Sequence, residues 1–429
     1  MTPTILICTV GGSHQPIVSA INEVRPDHVV FICTDKDLAS GQPGSKVQII
    51  GVGNCIKAQF TDAKPTLPNI PTQTGLNTDQ YQVCISIADD LDAIYQTCTV
   101  ELQTLAQRFP GAHIIADYTG GTKSMSAGLV MAALEWPEVK LQLVTGSRAD
   151  LIKVYDGSQY SAQANSSQIR FERQIAPFRQ AWSRYAYSEA YEGLRQITAP
   201  TSPKLRSQYT RFRELSRAFA EWDNFNHPMA LDILQKQAGT LNNEQRRYIG
   251  CATRLNDLNA TKQTAARLLD LYLNAQRRAA QGRYDDAIAR IYRLLEWTAQ
   301  WLLLSQTGIE TANVPAEQIP AGLSLTQNRE GQWQAALHNA WQLVAIKTDG
   351  PATAFFNTQK ENLLHHLQTR NSSILAHGFA PINRQAWESV NTWIEQCFLP
   401  VLLAEAKQAG IPQLPPQLPN NDGLNLVTG

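Results

Sequence analysis

The pattern of apolar and polar positions changes character once along the chain. Over the first part, runs rich in Val and Ile at residues 5–10, 28–34, 47–52, 113–118 and 141–145 alternate with stretches 16–24, 89–109 and 123–136, where Leu, Ile, Val and Ala return at helical spacing. Several runs are almost continuously apolar, as expected of strands covered on both faces, so this part predicts a doubly wound, Rossmann-like α/β domain. Residues 58–81, rich in Pro, Thr, Asn and Gln, read as a long surface connection inside it. A second polar stretch, 158–168, closes the α/β part, and from about Ile175 onward strand signals almost vanish.

The remainder predicts an all-α region. A small motif recurs there: Tyr187-x-x-Ala190-x-x-x-Leu194, His227-x-x-Ala230-x-x-x-Leu234 and Tyr284-x-x-Ala287-x-x-x-Ile291. Its unequal spacing marks related helix starts rather than a solenoid. The expected division is an α/β domain over 1–165, a helical connector over 166–272, a helical bundle over 273–410 and a Pro-rich tail over 411–429, extended or disordered.

Composition narrows the function. The 429 residues are 43% hydrophobic and 17% charged with a formal net charge of zero, which describes a globular chain. It argues against a protein that coats long nucleic acid, since that requires a broad excess of Lys and Arg. Cysteines at 8, 33, 55, 84, 98, 251 and 397 show no metal-ligand or redox spacing and read as buried thiols. No basic segment precedes an apolar run at the N-terminus, and no apolar stretch approaches the ~20 residues needed to span a bilayer, so a cytoplasmic protein without a membrane partner is expected.

Two glycine loops carry the first candidate chemistry. The run 5–10 leads into Gly11-Gly12-Ser13, and the run 113–118 into Thr119-Gly120-Gly121-Thr122-Lys123-Ser124, each ahead of a helix. Glycines let backbone N–H groups approach an anion, a helix start adds partial positive charge, and Thr, Ser and Lys supply donors. Gly-x-Gly-x-x-Gly is absent and Lys123 follows Thr122 rather than glycine, which argues against a dinucleotide oxidoreductase or a P-loop hydrolase. A single Gly-Gly turn after a strand is more often a tight connection than a site; two, with Thr, Thr, Lys and Ser gathered in one, reverse that preference.

The stretch Asp117-Tyr118-Thr119-Gly120-Gly121-Thr122-Lys123-Ser124-Met125 resembles the signature of CARF domains, the CRISPR-associated Rossmann-like sensors of cyclic oligoadenylates. The resemblance implies a homodimer with a ligand across its axis and a pocket lined by Thr9, Gly11, Gly12, Ser13, Thr119, Gly120, Gly121, Thr122 and Lys123, with Asp35 and Ser147 as secondary candidates. A two-fold dimer duplicates each loop, so a ring with its own symmetry can satisfy both copies. Lys123 would act as a point charge for phosphate. Cyclic tetra-adenylate is the first expectation for the ring and cyclic hexa-adenylate the second.

The second constellation is Arg370-Asn371-Ser372-Ser373-Ile374-Leu375-Ala376-His377-Gly378. In a continuous helix, seven residues turn by roughly 700° and rise ~10 Å, placing Arg370 and His377 on one face about two turns apart. One copy does not close a compact site, whereas two around a dyad can. A histidine near neutral pKa moves protons, an arginine holds the scissile phosphate, and the 2′-hydroxyl of the substrate serves as nucleophile, which makes RNA the target without a metal. The bland reading is a helix-end histidine and a surface cation.

This pattern resembles the Arg-x(4–6)-His motif of HEPN ribonucleases over roughly residues 273–409, with Arg370 and His377 catalytic and Asn371 orienting the motif. Arg277, Arg278, Arg283, Arg290 and Arg293 read in part as a solvated face that guides RNA, and His365 and His366 as packing or surface residues. As a whole the chain resembles the CARF–HEPN ancillary ribonucleases of type III CRISPR defence. That implies a single-stranded RNA endoribonuclease switched on by cyclic oligoadenylate, with no cofactor and no stable DNA binding. Two rivals stand beside it: a non-enzymatic sensor or regulator, and a ring nuclease that degrades the cyclic ligand.

Overall fold

Val, Ile, Leu and Phe fill both faces of the central strands, and the fold follows from covering both. A computed structural model of the chain describes residues 2–36, 41, 44–50, 67–146, 159–371, 374–375 and 378–420. It divides into two compact units, Met1–Arg173 and Gln174–Gly429.

In the first unit the chain runs β1 (Thr4–Thr9), α1 (Gln15–Val24), β2 (His28–Thr34), a 3-10 turn (Ser45–Gln48), α2 (Ile70–Thr74), β3 (Tyr81–Ser86), α3 (Leu91–Arg108), β4 (His113–Asp117), α4 (Lys123–Leu134), β5 (Lys140–Thr145) and β6 (Tyr160–Gln163). The sheet order is β3-β2-β1-β4-β5-β6, parallel throughout except for β6, which runs antiparallel to β5. Successive side chains of β1 point to opposite faces: Ile5 and Ile7 pack with Ile94 and Leu102 of α3 and Leu129 of α4, while Leu6 and Cys8 pack with Ile17 and Ile21 of α1. The expected doubly wound α/β class is what forms.

One strand was misplaced by the pattern. Of the run 47–52, residues 47–48 belong to the 3-10 turn, 49–50 are turn and bend rather than strand, and 51–52 lie outside the described residues. The strand beside β2 is β3, at the edge of the sheet, where Ile85 is exposed and only part of each face is covered. Its mixed sequence Tyr-Gln-Val-Cys-Ile-Ser is what such a position permits, and it hides the strand from a search for apolar runs. Of the polar connection expected over 58–81, residues 58–66 lie outside the described residues, and the rest holds α2 and the start of β3.

The helical part runs α5 (Ser167–Ser183), α6 (Tyr187–Gln196), α7 (Pro203–Asp223), α8 (His227–Lys236), α9 (Asn243–Leu255), α10 (Ala260–Ala280), α11 (Tyr284–Thr307), α12 (Leu337–Lys347), α13 (Pro351–Asn371), α14 (Arg384–Trp393), a π turn (Ile394–Phe398) and α15 (Leu399–Gln408). A two-strand ribbon, β7 (Thr326–Gln327) and β8 (Trp333–Gln334), interrupts it.

The recurring motif marks three helix starts, since Tyr187, His227 and Tyr284 are the first residues of α6, α8 and α11. Two residues before each stands a left-handed residue: Tyr185 (φ 58°), Phe225 (φ 63°) and Gly282 (φ 74°). In all three turns the amide of the next residue returns to the carbonyl five positions back: Ala186 to Ala181, Asn226 to Glu221 and Arg283 to Arg278, at 2.8, 2.9 and 3.0 Å. This is the Schellman closure, which satisfies the last carbonyls of one helix and reverses the chain into the next. The motif's alanines and its Leu or Ile positions are all buried, so the repeated sequence encodes the packed face of the second helix.

The tail is extended from Ile411 to Asn420 and anchored. Ile411 and Leu418 are buried, the Tyr187 hydroxyl donates to the Pro419 carbonyl (2.5 Å), the Tyr248 hydroxyl donates to the Gln417 carbonyl (3.0 Å), and the Gln417 amide donates to the Leu273 carbonyl (3.0 Å). Residues 421–429 lie outside the described residues.

Candidate functional site

The N-terminal candidate site sits where the sheet order reverses. Strands β2 and β3 lie to one side of β1, and β4 and β5 to the other, so β1 and β4 flank the switch point at which open α/β sheets bind ligands. Their register pairs Cys8 with Asp117, and the two glycine loops therefore leave the sheet side by side.

The loops are pressed backbone to backbone. A Cβ on Gly11 would lie 2.7 Å from the Gly121 nitrogen, and one on Gly120 would lie 2.2 Å from the Thr9 carbonyl oxygen. No side chain fits at either place. The Thr9 hydroxyl donates to the Gly120 carbonyl (2.6 Å), which also accepts from Ser126 (3.0 Å). Thr119 accepts the Val144 amide on its hydroxyl (2.6 Å), and its own amide donates to Asp117 (3.0 Å), which accepts from Gln142 as well (3.1 Å). Burial pushes the Asp117 carboxyl up, against the pull of those donors. Thr122 caps α4 by accepting the Met125 amide.

The predicted residues thus fall into two groups. Thr9, Thr119 and Thr122 spend their hydroxyls on bracing the loops. Gly12 and Lys123 are exposed and Ser13 is half-buried beside them, which leaves Ser13 and Lys123 as the side chains turned to the solvent edge of the paired loops. Arg170 fixes the far end of α4, donating to the carbonyls of Ala133, Trp136 and Val139 at 3.1, 2.6 and 2.8 Å. Sequence reasoning missed Gln48, whose buried side chain donates to the Gly11 carbonyl. Nothing in the local pattern could reveal it, because the contact joins residues 37 positions apart. Asp35 forms an ion pair with Lys46 (2.9 Å) that holds its carboxyl below the usual range; Ser147 lies outside the described residues.

In the helical unit, α13 carries Arg370 and Asn371 in its last turn and ends at Asn371. Residues 374–375 are a turn, so the stretch from Arg370 onward is not one continuous helix and the argument from a shared helical face does not apply. His377 lies outside the described residues.

Aromatic packing sets where α13 points. The Phe355 ring lies 5.3 Å from Trp341, 5.5 Å from Phe398 and 6.0 Å from Trp393; Trp393 donates to Gln359 (3.0 Å) and meets the His366 ring at 4.7 Å. Burial, then the neighbouring His365, lowers the His366 pKa, consistent with a packing role. Beyond the motif the chain is pinned where the Ile382 amide donates to Asp285 of α11 (3.2 Å). Around it Ile374, Leu375 and Phe379 are 62%, 51% and 96% exposed.

The arginine series is not one solvated face. Arg277 and Arg278 are buried against Asp223, at 2.7 and 2.6 Å, and Arg290 pairs with Asp286, whereas Arg283 and Arg293 are exposed. Among the described residues no helix is long and apolar enough to cross a membrane, and no cluster of three or more His, Cys, Asp or Glu is placed to hold a metal ion.

Residues 172–264 match the family model of the Csm6 6H domain, and residues 256–398 that of the Csm6 HEPN domain. Among solved structures, Enterococcus italicus Csm6 bound to cyclic hexa-2′-fluoro-hexa-dAMP matches with a TM-score of 0.55 at 13% identity, over 95% of this chain and 95% of that one, a likeness of fold. No curated protein matches the sequence. A Rossmann-like unit with paired glycine loops ahead of a HEPN domain makes the chain a CARF–HEPN ancillary ribonuclease, an endoribonuclease of CRISPR defence. Within that class, its helical half is made of the 6H and HEPN domains of the Csm6 family.

Proposed function

We propose that the chain is a cyclic-oligoadenylate-activated endoribonuclease that cuts single-stranded RNA without a metal, by attack of the substrate's 2′-hydroxyl at a composite site of a cytoplasmic homodimer. Arg370 holds the scissile phosphate, His377 transfers the proton, and Asn371 orients the pair. The α/β domain of residues 1–165 senses the ring through Gly11, Gly12, Ser13, Gly120, Gly121 and Lys123, with Thr9, Thr119 and Thr122 holding the loops in shape. Residues 166–272 connect it to the nuclease bundle of 273–410, and the tail closes the chain.

The observation that carries this reading is the end of α13: Arg370 falls in its last turn, and the chain that follows carries Ile374, Leu375 and Phe379, whose exposed apolar side chains call for a covering surface. A second copy supplies that cover and brings a second Arg–His pair to the same seam. Activation is then a population shift, since a ring binding the active arrangement more tightly by ~1–3 kcal/mol moves the equilibrium about 5- to 150-fold.

The test is cleavage of a fluorogenic RNA with cyclic tetra-adenylate, cyclic hexa-adenylate or no ring, in the presence of EDTA. Ring-stimulated cutting that survives EDTA, disappears in His377→Ala and spares a 2′-deoxy substrate is expected. In His377→Ala the ring still binds, while Lys123→Ala loses ring-triggered activation and remains dimeric. Cyclic tetra-adenylate is the proposed ring, and the hexa-adenylate analogue bound by the Enterococcus italicus protein makes the larger ring its competitor. Cutting that ignores both rings, or that His377→Ala retains, would defeat the proposal.

A further inference from the structure

The three Schellman turns converge. Tyr185 and Ala186 of the first, Asp223 and Asn224 beside the second, and Gln281 and Arg283 of the third line one open cavity of about 450 Å³ in the helical unit. Cross-bonds hold them together: Gln281 donates to the Tyr185 carbonyl (3.0 Å), and Arg278 to the Asp223 carbonyl (3.2 Å). The starts of α6 and α11 face the same space, and both helices are long enough to present partial positive charge there.

Charge in this place is unbalanced. Arg277, Arg278, Arg283 and Arg290 share Asp223, Asp270 and Asp286, so the linked network holds one cation more than it has carboxylates. The buried Nε of Arg278 lacks a hydrogen-bond acceptor, its nearest carboxylate oxygen being on Asp286 at 3.8 Å. Burial, followed by the neighbouring Arg278, pushes the Arg290 guanidinium down to about 10, as expected where positive charge is crowded. The neighbouring Asp285 is turned away from these arginines and accepts the Ile382 amide.

We infer that this cavity is a binding site for the phosphate of a nucleotide, with Arg278, Arg283 and Arg290 as the anion-facing guanidinium groups and Arg184 at the rim. Guanidinium forks match phosphate oxygens in pairs, and a cavity of this size admits a nucleotide. The phosphate has two possible sources, a segment of an RNA chain or a free mononucleotide. The site does not depend on the Arg370–His377 reading, and a failure of either leaves the other standing.

The experiment titrates the full chain with pyrophosphate by calorimetry, then competes with a 2′-O-methyl RNA oligonucleotide or with AMP. The variants are Arg184→Gln and Arg283→Gln; both side chains are more than half exposed, so neither change threatens the fold. Saturable binding weakened at least tenfold in Arg283→Gln, and retained in His377→Ala, is expected. Displacement by the oligonucleotide identifies RNA as the source, accompanied by a salt dependence shallower by about one unit in the variant. Displacement by AMP alone identifies the free nucleotide. Absence of saturable pyrophosphate binding, equal binding by the variants, or displacement by neither competitor would overturn the inference.

Discussion

The amide of Ile382 points at the carboxylate of Asp285, 3.2 and 3.3 Å from its two oxygens, across 97 positions of sequence. This contact fastens the chain that follows the Arg370–His377 motif to the first turn of α11. A hydrogen bond to a charged acceptor contributes about 1.5–3 kcal/mol. Asp285→Ala should therefore lower kcat for RNA at least tenfold while leaving KM and ring affinity within about twofold. Stopped-flow cleavage at saturating ring separates the two constants, and an unchanged kcat would remove Asp285 from the positioning role.

The contact between the two glycine loops predicts opposite results at adjacent residues. Gly11→Ala drives a methyl into the Gly121 backbone and should cost about 1–3 kcal/mol of stability together with most of the ring affinity. Gly12→Ala meets nothing within 4 Å and should stay within about 0.5 kcal/mol of the parent. Thermal melts with and without ring, run on both variants, decide it.

Asp223 is the shared acceptor of Arg277, Arg278 and Asn274. Asp223→Asn keeps the shape and removes the closest carboxylate charge from two buried guanidinium groups, which should destabilise the helical unit by about 3 kcal/mol. Urea unfolding followed by tryptophan fluorescence measures this directly.

Burial raises the Asp270 carboxyl, but Arg277, His227 and Trp222 outweigh it and hold the group below its usual value. A depressed folded pKa stabilises above the unfolded value of about 3.9, and that contribution is lost as pH falls through the folded value. The stability gap between the parent and Asp270→Asn should accordingly be widest near pH 7 and close progressively below about pH 4. Denaturation curves across that range would refute the assignment if the gap stayed constant.

Truncation at Gly410 removes the buried Ile411 and Leu418 and leaves Tyr187, Tyr248 and Arg277 without their partners in the tail. Each lost apolar side chain is worth about 1.5–3 kcal/mol when fully buried. The truncated chain should melt at least 5 °C below the parent in differential scanning calorimetry, and equal melting temperatures would mean that the tail is not an anchor.

Sequence alone determined the features written in local repetition. Continuous apolar runs identified β1, β2, β4 and β5, helical spacing identified α1, α3 and α4, and the Tyr/His-x-x-Ala-x-x-x-Leu/Ile motif located the starts of α6, α8 and α11, because each buries a face at a period set by its own backbone. Glycines after strands marked the candidate ligand loops for the same local reason. Tertiary structure decided what depends on distant neighbours: β3 as an edge strand of mixed sequence, Gln48 beneath Gly11, the end of α13 at Asn371, and the burial of Arg277 and Arg278 against Asp223. An arginine series along a helix carries no sign of which members find a carboxylate, since that partner comes from another helix, and the cavity where three turns meet exists only once those helices have packed.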